Sequence, residues 1–537
     1  MKTSAEFRQF KRCIILFMVS ILCCSLAFAI YIIDPVKLIF QWKLTMTPTS
    51  TAFLLWQKPP IGVFLNVYIF NITNKDEFMN GQEKLRVDEI GPYVYQEILE
   101  NANVHWNDNG TISYTPRRTI IFKPELSVNN PEVDNIYVPN IPMLGVSSAL
   151  RNAGFIVNYP LAHLANILNS QPILKMTVHE YLWGYDDSLV RLAAGIIPNF
   201  VNFKKFGLLD RMYDEGENVV NININSNDDM ANEEGRYLSI QNYNGSPGLP
   251  NWGYVKPETN KTNSGNTFCN QIKGATEGSL FPTHMDKNAV FRVFRKAFCR
   301  TLPIVFKKEV VSSGLKGYEY SLSDNFLDTP DNNPDNECYC RKMSKCLKKG
   351  LSDLTPCYYN IPAAISLPHF LYADQSLVDG VEGLHPDPEK HLSSIIIQPD
   401  VGAPIDVHSK LQTNLVMDET VYNPKIKVFN NLVIPLFWTD LTIPPETNEI
   451  LFLMKLLLNI APIAQTSFIY LLIISGILTF FLSLFGVLWI IKQSEQQMND
   501  ERRDSADLRI PLGYGQYTAI HILPVIKKMT SRTELFG

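Results

Sequence analysis

CIILFMVSILCCSLAFAIYII, residues 13–33, runs 21 residues without a charge, and FIYLLIISGILTFFLSLFGVLWII, residues 468–491, runs 24. At about 1.5 Å of rise per residue, a helix of either length crosses the roughly 30 Å hydrocarbon core of a bilayer. No third run of this kind lies between them. The chain therefore reads as a two-span membrane protein: a short tail over residues 1–12, a span over 13–33, a large domain over 34–467, a span over 468–491 and a tail over 492–537. Lys2, Arg8, Lys11 and Arg12 precede the first run, and Lys492, Arg502 and Arg503 follow the second. The excess of basic residues on the cytosolic side of membrane helices places both tails in the cytosol. Ala27-Phe-Ala29 also resembles a signal-peptidase site, and cleavage there would leave one span. The apolar run continues through Ile30 to Ile33, which favours a span.

The middle domain carries the marks of an exported protein. Four Asn-x-Ser/Thr triplets, at Asn71, Asn109, Asn244 and Asn260, are acceptors for N-linked glycans only on the lumenal or extracellular face. Pro247 just after the third weakens it. Of nine cysteines, three lie in the first run. The other six, Cys269, Cys299, Cys338, Cys340, Cys346 and Cys357, are an even set within one region, which reads as three disulfides with 15 pairings open. A zinc site built from Cys338, Cys340, Cys346, Cys357 and His369 is the rival, but the spacing matches no usual pattern of paired cysteine knuckles. A net charge of −5 argues against nucleic-acid binding.

Short β-branched and aromatic stretches predict strands at Val63 to Phe70, Tyr93 to Tyr95, Thr119 to Phe122, Ile304 to Val311, Ile395 to Ile397 and Ile426 to Phe429. Apolar residues at three- and four-residue spacing predict helices at Leu161 to Asn169, Thr177 to Trp183, Ser188 to Ala194 and Asn288 to Cys299. Asn221 to Glu234 and Asp324 to Asn336 read as exposed polar loops. The expected fold is α+β: a β-rich ectodomain with a helical cap over residues 148–210. Catalytic signatures are lacking. There is no G-x-S-x-G elbow and no phosphate-binding glycine loop, and His179-Glu180 lacks the second histidine of a zincin because Trp183 stands in its place. The expectation is a protein that is not an enzyme, with no cofactor and no metal.

Local words of the middle domain resemble the class B scavenger receptor family, which includes fatty acid translocases, lysosomal integral membrane proteins and insect sensory neuron membrane proteins. They are Glu89-Ile-Gly-Pro-Tyr-Val-Tyr95, Leu182-Trp-Gly-Tyr-Asp186, Asn244-Gly245 with Trp252, and Cys269-Asn-Gln-Ile-Lys-Gly274 running to Phe281-Pro282. Cys299-Arg300, Cys338-Tyr-Cys340, Gly350-Leu351 and Ser366-Leu-Pro-His-Phe370 follow in the family's order. The chain is thus similar to a scavenger receptor of insect type over nearly its whole length. The resemblance implies an antiparallel β-barrel-like ectodomain with an apical helical bundle and an internal apolar tunnel. It implies bridges Cys269–Cys338, Cys299–Cys357 and Cys340–Cys346. It also implies a receptor in the cell membrane, or in endosomes or lysosomes, that binds lipids or lipid-bearing particles at its cap. Fatty acids, sterols, carotenoids or lipoproteins would be the ligands, and the hydrophobic cargo would pass through the tunnel to the membrane. A chemosensory co-receptor or a lysosomal sorting receptor is the alternative within the same family.

Candidate ligand-binding residues are Lys175, Phe155 and Ile173. Lys175 is the one lysine of the stretch 169–176, where several family members cluster lysines. Phe155, Ile156, Ile173, Leu174 and Met176 fit either a lipid entrance or the inner face of a helix bundle, and the inner face is the expectation. Arg151, Lys204 and Lys205 are further cations of the cap. In the tail, Tyr517-Thr-Ala-Ile520 fits the Y-x-x-Φ pattern that endocytic adaptors read. Cys13 is the cysteine nearest the cytosolic boundary.

Overall fold

The protein is described by a computed structural model covering residues 3–60, 62–199, 201–213, 216–225, 233–256, 266–340, 346–443 and 448–507. The Tyr517 and Ile520 motif and the Asn260 sequon lie outside these residues. Contacts divide the chain into two units, one of Met1–Val36 with Pro462–Gly537 and one of Lys37–Ala461.

The first unit is a pair of long helices, Thr3–Ile33 and Ala461–Asp507. The second runs well beyond residue 491, because polar residues 492–507 continue the helix without a glycine or proline to stop it. Small and polar residues line the contact between the two. The Ser20 hydroxyl donates to the Gly476 carbonyl at 2.8 Å, and the Ser483 hydroxyl to the Cys13 carbonyl at 2.8 Å. A β-carbon on Gly486 would sit 2.6 Å from the Cys13 sulfur, and one on Gly476 would sit 2.8 Å from that of Cys24. Close backbone approach and side-chain hydrogen bonds are how helices associate where lipid removes the hydrophobic driving force. Cys13 is 6% exposed and packs inward. At one end of the pair, Gln465 donates to Asp34 at 3.0 Å and accepts from the Val36 N–H at 3.0 Å.

The second unit is built on one sheet. Its hydrogen-bonded path runs Phe291–Arg295, Arg300–Ser312, Leu315–Leu322, Ser394–Gln398, Ala403–Val416, Val433–Thr442, Val63–Ile72, Leu85–Asn107, Thr111–Phe122, Val220–Asn223 and Ile240–Tyr243. Every neighbouring pair on this path is antiparallel. The two ends of the path meet through residues 274–276. The Gly274 N–H donates to the Ile240 carbonyl and the Ile240 N–H to the Ala275 carbonyl, at 2.9 and 2.7 Å. On the other side the Thr276 N–H donates to the Arg292 carbonyl and the Phe294 N–H to the Thr276 carbonyl, at 2.7 and 2.8 Å. The sheet thereby closes on itself and leaves no free edge along this seam, which removes a template for aggregation. Register pairs residues far apart in sequence: Val67 faces Thr439 on one side and Tyr93 on the other.

Three sequence expectations fail here. Asn288 to Cys299 is not a helix: Phe291–Arg295 is a strand paired with Arg300–Ser312, and Lys296–Phe298 is a single 3₁₀ turn ended by Cys299 at φ 55°. Aromatic and β-branched side chains suit either period, and strand pairing decided between them. Ile426 to Phe429 is not a strand but part of the 3₁₀ helix Pro424–Phe429. Pro424 supplies its preset φ, and the Asn423 side chain accepts from the Lys425 N–H. Asn221 to Asn223, expected in a loop, belong to the strand Val220–Asn223.

The cap region contains the helices Phe155–Ile167, Val178–Trp183 and Ser188–Ile196, preceded by Ile141–Ala149 and followed by Leu208–Tyr213. A two-stranded ribbon, Asn135–Pro139 with Ile173–Thr177, runs among them.

Candidate functional site

The helix Phe155–Ile167 is inverted relative to an ordinary surface helix. Its buried residues are small or polar: Asn158, Ala162 and Ala165. Its large apolar residues face out, with Phe155 58% exposed, Ile156 86%, Tyr159 55% and Ile167 68%. Asn158 explains the inward side, since its amide donates to the Leu150 carbonyl at 2.8 Å and ties the helix start to the preceding turn. The Phe155 ring stacks on Tyr159 at 4.9 Å and meets Tyr422 edge-on at 6.0 Å. Val421, beside Tyr422, is 75% exposed. These side chains form an apolar patch open to solvent.

Burial divides the cap expectations, and the inner-face reading holds for Ile173 and Met176. Phe155 and Ile156 are not the inner face of the bundle. Ile173 is 2% exposed, and it sits in the main hydrophobic core on the ribbon strand opposite Pro139, so it cannot meet a ligand. Met176, at 8%, is in the same core. Lys175, between them on the same strand, is exposed. The Lys175 ammonium lies 5.8 Å from the Tyr137 ring centroid, and Lys75 lies 5.6 Å from the same ring. Lys175 therefore has a cationic neighbour 100 positions away that sequence reading could not find. Arg151 is held by Asp418 at 2.8 Å.

Inside the sheet lie cavities. One, about 110 Å³, is lined by Leu65, Val293, Leu302, Ile304, Ile395 and Leu441, with Arg118, Arg295, Glu277 and Tyr213 at a polar end. A second, about 50 Å³, is lined by Ile141, Phe206, Leu415 and Phe437. A third, about 300 Å³, is lined by Asn244, Leu249, Lys296 and Tyr358. The side chain of Met212 lines all three.

The polar end is organised by Glu97, only 2% exposed. The Arg118 Nε donates to its carboxylate at 3.0 Å and the Tyr213 hydroxyl at 2.7 Å, and an Arg295 nitrogen lies 3.7 Å away. Burial alone would raise the Glu97 pKa, but the Arg295 and Arg118 charges win and hold it below the usual carboxylate range. Glu277 lines the same cavity, so the polar end carries carboxylates as well as guanidinium groups.

On the sheet's other side Glu89, His369 and His391 bring three ligand-type atoms within 4.8 Å of one another. Hydrogen bonding argues against a metal there. His369 Nδ1 accepts from the His385 N–H at 3.1 Å, and His391 Nδ1 accepts from the Asp387 N–H at 3.0 Å. Each ring then holds its proton on Nε2, the nitrogen that would have to ligate. His369 Nε2 instead donates to Glu89 at 2.6 Å, where the Trp438 indole N–H also arrives at 2.6 Å. The two imidazoles stack at 4.5 Å.

Burial, with the neighbouring His369 next, lowers the His391 pKa to about 4. The unfolded chain binds this proton near its ordinary value of about 6.5. Stability should therefore be full above that value and fall as pH drops from there toward 4, by up to about 3 kcal/mol. His391→Asn keeps an acceptor for the Asp387 N–H but cannot titrate, so its unfolding midpoint should fall less between pH 7 and pH 4.5. Equal slopes for the two proteins would refute the assignment.

The cysteines pair as Cys269–Cys338, Cys299–Cys357 and Cys340–Cys346, closing loops of 69, 58 and 6 residues. Their thiolates are thus unavailable to the zinc set considered above. Asn109 and Asn244 are exposed and Asn71 is half-buried. Asn71 accepts from the Tyr137 N–H at 2.8 Å, and the Asn244 amide donates to Asn218 at 2.7 Å.

Comparison with known proteins gives a consistent result. The model of the CD36 family matches residues 13–487. Scavenger receptor class B member 1 of Bos taurus is 29% identical over 394 residues, 73% of each chain. The protein of that name from Rattus norvegicus is 28% identical over 424 residues, 78% of each. Lysosome membrane protein 2 of Homo sapiens is 30% identical over 376 residues, covering 70% of this chain and 73% of the relative.

Proposed function

Because the chain belongs to the CD36 family, a family of two-pass membrane proteins, we propose that it is a non-enzymatic lipid receptor that docks lipid-bearing particles on the outward apolar face of the helix Phe155–Ile167. Lipid then passes through the cavities that meet at Met212. The observation that carries this reading is the inversion of that helix, with Ile156 86% exposed while Ala162 and Ala165 are buried. Such a face is costly in water and is stabilised by contact with a lipid surface, about 1.5–3 kcal/mol for each large side chain fully covered. Apolar cavities offer the released lipid a dry path. Both tails lie in the cytosol in this proposal, supported by the basic residues flanking the two spans. The protein resides in the cell membrane or a lysosomal membrane, the second supported by the relative named lysosome membrane protein 2. The alternatives of co-receptor and sorting receptor share the docking face but need no lipid movement.

Ile156→Asp should keep surface delivery, since the side chain packs against little, and should weaken capture of lipoprotein or phospholipid vesicles about tenfold or more. Lys175→Glu should cost less than about tenfold, because an exposed charge contact contributes only about 0.2–1 kcal/mol. Binding is read with labelled particles on intact cells. Glycosidase treatment of those cells should lower the apparent mass of the receptor if residues 34–467 lie outside. Undiminished capture by Ile156→Asp would sink the docking face.

A further inference from the structure

A groove of about 250 Å³ outside the cavities above is walled by aromatic rings: Tyr95, Phe122 and Trp183, with Ile120, His179 and Glu132 at its sides. Tyr95 is 3% exposed and forms the floor. Phe122 and Trp183 stand on either side of it, their ring centroids 5.5 and 5.4 Å away and their planes inclined by 54° and 67°. Three rings so inclined make a box rather than a stack. Burial raises the Tyr95 pKa to about 12, so the floor carries no charge at neutral pH.

Glu132 supplies the one carboxylate of the lining, and no lysine or arginine belongs to it. Among the described residues no cation forms an ion pair with Glu132. The loop that presents it is held in place. The Tyr93 hydroxyl and the Asn129 amide both donate to the Asp134 carboxylate, at 2.6 and 2.7 Å. The Val178 N–H donates to the Asp134 carbonyl at 2.9 Å, and the His179 N–H to the Pro131 carbonyl at 2.8 Å. The Glu132 N–H donates to the Asn130 side-chain oxygen at 3.0 Å. A site ordered in advance loses little entropy on binding.

Aromatic faces around a carboxylate attract a cation. The kind of cation follows from the acceptors. Three of the walls are aromatic rings and Glu132 is the one carboxylate, so an ammonium or guanidinium with several N–H groups would find acceptors on one side only. A methylated ammonium has none to satisfy. We propose that this groove binds a quaternary ammonium, the trimethylammonium of a choline headgroup. The site is separate from the docking face and from the Met212 cavities, and a receptor could move lipid without it.

The test uses the full chain in phosphatidylglycerol nanodiscs, which contain no choline, with free choline as the probe and saturation transfer to its N-methyl protons as the readout. Binding in the millimolar range is expected. The neutral isostere 3,3-dimethyl-1-butanol should bind about tenfold or more weakly. Glu132→Gln, at an exposed position, should weaken choline about three- to tenfold, and Trp183→Phe by a similar factor. Choline binding that both variants leave unchanged, or an isostere that binds as well as choline, or no transfer at all, would each overturn the proposal. None of these outcomes bears on lipid transfer, which is read separately.

Discussion

Met212→Trp should abolish delivery of lipid to the membrane while leaving the receptor at the cell surface and particle capture intact. Met212 lines all three cavities, of about 50, 110 and 300 Å³. Methionine is unbranched and adaptable, so it can yield to a passing chain. An indole at the junction would fill space that lipid must cross. Overpacking a close-packed core costs about 1–3 kcal/mol, and the adjoining empty volume lowers that here. Ser409→Trp, which adds a ring to the wall of the 110 Å³ cavity from the Ala403–Val416 strand, provides a second block at an independent position. The measurement is uptake of a fluorescent lipid from captured particles, normalised to surface receptor. Transfer at the wild-type rate by both variants would show that lipid takes another route and that the chain is a docking protein.

Glu97→Gln should destabilise the second unit by about 3 kcal/mol. The substitution keeps the side chain's shape and an acceptor for the Tyr213 hydroxyl but removes the charge. Arg118, 13% exposed, and Arg295, 27% exposed, would then lose the buried carboxylate they share. Breaking a buried pair from one side costs about 3–5 kcal/mol, and the partial exposure of Arg295 puts the value at the low end. The pH dependence has the opposite origin to that of His391. The Glu97 carboxyl is held below its ordinary value, so its contribution is present above the unfolded-state pKa of about 4.3 and is lost as pH falls through the folded value. Glu97→Gln should lack that loss. Denaturant midpoints at pH 7, against exposed Glu125→Gln as control, would measure it. A difference under about 1 kcal/mol would mean that water, not Glu97, compensates the arginines.

Much of this architecture was legible in the chain because its signals are local. An uncharged run of 21 or 24 residues has one stable environment, so residues 13–33 and 468–491 announced the spans without reference to anything else. Alternation and β-branching located five of the eleven strands on the main path for the same reason. Where two local readings had similar energy, the sequence was ambiguous and the reading went wrong. Phe291 and Phe294 suit one face of a helix or a half-buried strand equally, and only the pairing with Arg300–Ser312 selected the strand. The Phe155–Ile167 helix shows the same ambiguity in burial. Its apolar residues predict an inward face, yet small residues pack inward and the large ones stay out.

The sites themselves came from tertiary structure. Glu89 and His369 meet across 280 residues, Trp438 and Glu89 across 349. Glu97 gathers Arg118, Tyr213 and Arg295 from three separate elements. Antiparallel register between distant strands, such as Val67 opposite Thr439, determines which of these side chains become neighbours. That register depends on closing long loops and burying one face of every strand at once. A membrane span is decided by about 20 consecutive residues acting on one solvent. A cavity or a charge cluster is decided by the whole sheet, which is why composition and spacing named the protein's architecture while the folded chain alone chose its cavities, its exposed apolar helix and its buried ion network.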